Sequence, residues 1–89
     1  MSAELQTRAR AFLEQPVPKT VDYVRDSIAE KLIATYAKRG RVPDDPETRE
    51  LLELTQMESA EMARTASSPE SAAFFREGAA ILEAILAED

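Results

Sequence analysis

Apolar residues recur along this chain at intervals of three and four, and prolines divide the recurrence into four stretches. Over about 3–14, Leu5, Ala9, Phe12 and Leu13 fall on one helical face. Pro16 and Pro18 stop that helix, because proline lacks an N–H and restricts the residue before it. Over about 20–39, Val21, Val24, Ile28, Leu32 and Tyr36 make a second stripe. Thr20 suits its N-cap and Asp22 its first turn; Lys38 and Arg39 suit the last turn, and Gly40 the position just past it. The third stretch, about 46–66, opens with Asp45 as N-cap and Pro46 at the first helical position. Its main stripe is Leu51, Leu52, Thr55, Met62 and Ala66. The fourth, about 69–87, repeats that opening with Ser68 and Pro69, and carries a broad apolar face of Phe74, Phe75, Ile81, Leu82, Ile85 and Leu86.

No β-branched run alternates with polar residues over the length of a strand. The connections are short, which favours antiparallel neighbours. The pattern therefore predicts an all-α protein, a four-helix antiparallel bundle forming a single domain over 1–89. The first helix is short; it either packs in sequence order, lies across the others or reaches a second subunit.

Three residues break the pattern when successive positions are set at about 100°. Arg25 falls inside the second helix's apolar stripe. Either its stem lies on apolar surface with the charge in water, or it is paired at an interface. Glu58 lies between Leu51, Leu54 and Met62 on the third helix. A hairpin turning near 40–45 would set Arg25 opposite Glu58 as a structural ion pair, with Glu61 as the alternative acid. Gly78 projects near the middle of the fourth helix's apolar face, where an interior glycine costs roughly 1 kcal/mol relative to alanine. It points to a close helix crossing within the chain or with a second copy, to a hollow for a small apolar ligand, or to a kink. Phe74, Phe75, Gly78 and Ile81 thus form the expected packing or partner face. Met57, with Leu54 and Ala60, lies off the centre of the third helix's stripe and marks a second surface for adaptable contact.

Composition narrows the chemistry. The chain has 89 residues with no Cys, no His and only two Gly. Disulfides, thiolate nucleophiles and histidine bases are thereby removed, and so is any glycine-rich phosphate loop. The acids at 44, 45, 47, 50 and 53 look like a helix start followed by a solvated face, so neither a catalytic group nor a metal site is expected, and no cofactor. No basic stretch precedes an apolar run of signal-peptide length, and no run nears the ~20 apolar residues of a membrane span. A cytoplasmic protein is the expectation.

Net charge is −6, unevenly spread. Residues 1–41 hold eight Lys/Arg against five Asp/Glu, and residues 42–89 hold three against twelve. The basic "KRGR" at 38–41 could touch a phosphate backbone. The second helix of each plausible helix-turn-helix pair is acidic, however, which disfavours nucleic-acid readout. The sequence is best read as a small acidic, non-enzymatic helical regulator that binds a protein partner and self-associates as a homodimer. The alternative is a small-molecule-binding module built on an apolar hollow at Gly78.

Overall fold

Four helices form in a computed structural model of the chain: α1 (Ser2–Glu14), α2 (Ile28–Arg39), α3 (Pro46–Thr65) and α4 (Pro69–Ala87). The structure describes residues 2–88 except Val24 and Asp26, and Ser2 by its backbone alone. No strand occurs among the described residues. The all-α bundle read from the apolar pattern is therefore the fold.

Local chemistry sets most of the boundaries. The Asp45 carboxylate accepts the Thr48 N–H at 2.8 Å and its hydroxyl at 2.9 Å, with Pro46 at the first helical position. Ser68 repeats the device on α4, accepting the Ser71 N–H at 3.1 Å ahead of Pro69. Gly40 ends α2 in the left-handed region, at φ 76°, and donates its N–H to the Tyr36 carbonyl at 2.7 Å. That backbone shape favours glycine.

The start of the second helix differs from the expectation. It begins at Ile28 instead of Thr20. Ser27 is the N-cap, with its hydroxyl accepting the Glu30 N–H at 3.3 Å. Thr20 is drawn elsewhere: its hydroxyl lies 2.6 Å from that of Ser71 and 3.2 Å from that of Ser68, at the start of α4. The described residues between α1 and α2 thus form a non-helical strap. Tyr23, on this strap, stands edge-on to Phe74 and Phe75 with ring centroids 5.1 and 5.7 Å away.

α4 touches all three other helices, and its most extensive contact is with α3. α1 packs on α2 and α4 and does not reach α3. The α2–α3 contact is the slightest of those made. One core cluster draws Ala9 and Phe12 from α1, Leu32, Ile33 and Tyr36 from α2, and Phe74, Ile81, Leu82 and Ile85 from α4. α3 adds one large apolar side chain to it, Leu52. Its other buried residues are the small Thr55 and Ser59, which let α3 lie close along α4.

Gly78 lies under α1. A Cβ at this position would stand 3.2 Å from Cζ of Phe12, whose ring also stacks on Phe74 with centroids 5.1 Å apart. The close crossing expected at Gly78 is therefore made within the chain, and the hollow considered as an alternative is filled by the Phe12 ring. On α1 a bidentate pair adds to this docking, with Arg8 donating to the Glu77 carboxylate at 2.7 and 2.8 Å.

This packing makes a prediction. Gly78→Leu should lower stability by about 1–3 kcal/mol or more, because no free volume exists for it. Gly78→Ala gains roughly 1 kcal/mol in helix propensity but crowds Phe12. Phe12→Leu should relieve that crowding. A double-mutant cycle by chemical denaturation should then show favourable coupling above about 0.5 kcal/mol; strict additivity would exclude the contact as the reason for the glycine.

Candidate interaction surface

The residues expected to meet a partner divide into two groups. Phe74, Phe75, Gly78 and Ile81 are buried, with Ile81 fully so. Phe74, Phe75 and Gly78 meet Phe12 or Tyr23 of the same chain, and all four residues belong to the buried interior. Met57 is different: it is 63% exposed.

Arg25 and Glu58 do not meet. The Arg25 guanidinium donates to the Glu30 carboxylate and to the Gln15 carbonyl, and sits 6.0 Å from the Phe74 ring centroid. Because α2 starts at Ile28, Arg25 lies on the strap rather than on a helical stripe facing α3. It ties the two ends of that strap together. Glu58 is exposed on α3, and Glu61 pairs with Arg64 on its own helix. Sequence reading missed Glu30 as the acid because it sits on α2 next to its own cap. The "SIAE" run at 27–30 was the available signal: a serine followed three residues later by glutamate marks a helix start.

The large apolar side chains left exposed among the described residues are Ile28, Leu51, Leu54, Met57 and Met62. Four of them belong to α3. Leu52, Thr55 and Ser59 turn inward, which sends Leu54 and Met57 outward at about 100° per residue. Leu51 and Ile28 border a groove of about 560 Å³ between α2 and α3. Leu32, Ala34 and Pro43 add apolar lining, while Lys31, Lys38 and Arg39 supply charge, with no acidic residue on the lining. None of those three cations makes an ion pair among the described residues.

A second cleft, of about 510 Å³, opens between the 40–45 connection and the end of α4. It has charges of both signs, Arg41 and Arg49 against Asp44, Asp45 and Glu88. The Tyr36 hydroxyl there donates to Glu88 at 2.5 Å. Among the described residues no group of three or more acids is placed to hold a metal ion, and no helix is long and apolar enough to cross a membrane.

The chain matches no known family model, no curated protein and no solved structure.

Two carboxylates respond to pH in opposite senses. Burial pushes Glu30 above the usual carboxylate range, against the opposing pull of Arg25. The hydrogen bonds from Arg8 hold Glu77 below that range. A raised carboxylate contributes stability that is complete below its unfolded pKa and is lost as pH rises through its folded one; a lowered carboxylate does the reverse. Glu30→Gln should therefore melt at or above the wild-type temperature at neutral pH, with the gap closing as pH falls through the raised pKa and gone below about 4. Glu77→Gln should cost less than about 1 kcal/mol at neutral pH, the range for exposed pairs, and its gap should close as pH falls through the lowered pKa. Thermal melts across that range test both. A Glu30→Gln deficit at pH 7 that vanishes in acid would contradict the assignment for Glu30.

Proposed function

We propose that this chain is a small, non-enzymatic helical interaction protein that regulates a protein partner, and that α3 with the α2–α3 groove is the surface it uses. The observation that carries this is where the exposed large apolar side chains lie. Among the described residues, all five sit on α3 or at the start of α2, and none lies on α1 or α4. Single exposed apolar residues are ordinary. Leu51 and Ile28 at the groove's border, with Leu54 and Met57 on the outer side of α3, are a surface that gains from being covered. Methionine suits it, since its unbranched side chain adapts to the shape opposite. Self-association and a cytoplasmic setting belong to the same proposal. A thin core supports the first, because a short chain buries a small share of its apolar surface alone.

The test is affinity capture from native lysate with the wild type beside Leu54→Lys/Met57→Lys. Both positions point to solvent, so circular dichroism should show an unchanged fold. A protein retained by the wild type and lost with the double variant supports the reading. Identical capture by both would dismiss this surface.

A further inference from the structure

We propose that the occupant of the α2–α3 groove is α3 of a second copy of this chain, in a twofold arrangement where each copy both gives and receives the helix. This rests on the reading above, that the exposed side of α3 is a protein-binding surface, and it names the partner.

A single molecule carries two complementary surfaces. The groove is apolar and cationic: Ile28 and Leu51 lie at its borders, and Lys31 and Lys38 stand along its α2 wall. The outer side of α3 is apolar and anionic. Glu50, Leu54 and Glu58 follow one another at four-residue spacing, with Met57 alongside, and all four are exposed. Neither Glu50 nor Glu58 makes an ion pair among the described residues, and neither do Lys31 and Lys38. Both sides thus hold charges without an ion-pair partner among the described residues.

The spacings also agree. Lys31 and Lys38 are seven residues apart, about 10.5 Å along a helix, and Glu50 and Glu58 are eight apart, about 12 Å. Two cations on α2 can therefore meet two anions on a facing α3, with Leu54 and Met57 between them over the apolar lining. Because groove and strip share α3, a twofold axis beside that helix repeats the contact in reciprocal form, as an isologous interface requires. The chain's net charge of −6 opposes dimerisation at long range. The local pairing must overcome that repulsion, and moderate salt screens it over about 8–10 Å.

The experiment is charge reversal on each side, read by sedimentation velocity over a concentration series. Lys31→Glu/Lys38→Glu makes the groove acidic, opposite an acidic strip. Glu50→Lys/Glu58→Lys makes the strip basic, opposite a basic groove. Each variant alone should dimerise at least about tenfold more weakly than the wild type, since like charges face each other across the interface. Mixed together, both contacts of the twofold regain opposite charges, so a heterodimer should form at near wild-type affinity. Circular dichroism of each variant checks that the helices persist, and recovery on mixing is a readout that a folding defect would not give. Wild-type dimerisation left unchanged by either reversal, or no recovery on mixing, would overturn the proposal. A wild type that stays monomeric up to millimolar concentration would also overturn it. Capture of a different protein through Leu54 and Met57 would in that case identify the occupant of the α3 strip as heterologous, leaving the broader reading intact.

Discussion

The contact between the Phe12 ring and the backbone at Gly78 organises this molecule. α1 is 13 residues long and buries few large side chains, so it needs a close seat to stay docked. Gly78 provides one by leaving out a Cβ, and the ring then lies near enough to stack on Phe74. The cluster grows outward from there, with Phe75 and Tyr23 packed edge-on to the same rings. The strap between α1 and α2 takes its path over this cluster. Loss of the glycine's gap would lift α1, and α1 is what holds the strap's first end.

The strap shows how tertiary packing overrides a local pattern. Residues 20–26 carry helical spacing, but Thr20 finds hydroxyl partners at the start of α4 and Tyr23 finds a place among the phenylalanines. A helix over the same residues would move both away from those contacts. The helix starts instead where Ser27 supplies a cap. Arg25, which looks like a break in an apolar stripe, closes the strap by bonding the Gln15 carbonyl at one end and Glu30 at the other.

Much of the architecture was legible in the sequence, and the reasons are physical. Asp45–Pro46, Ser68–Pro69 and Gly40 act through their own backbone geometry, so their roles do not depend on distant residues. α3 and α4 therefore fall where the periodicity puts them. Gly78 was recognisable as a point of close approach because it interrupts an apolar face. What approaches it was not, since any aromatic or helix could fill the gap. The Arg25–Glu58 pairing failed because it assumed a helix through residue 25, whereas α2 starts at Ile28 and Arg25 turns to Gln15 and Glu30. The exposed strip was legible at Leu54 and Met57, which lie off the main stripe. The groove beside it was not, because its width depends on how far two helices diverge.

α3 is held to the bundle by Leu52 and by small residues along its seam with α4, while its outward positions have no part in the core. Attachment and presentation are thus carried by different residues of one helix. Substitutions at the outward positions can therefore reshape the proposed docking face while the seam stays as it is.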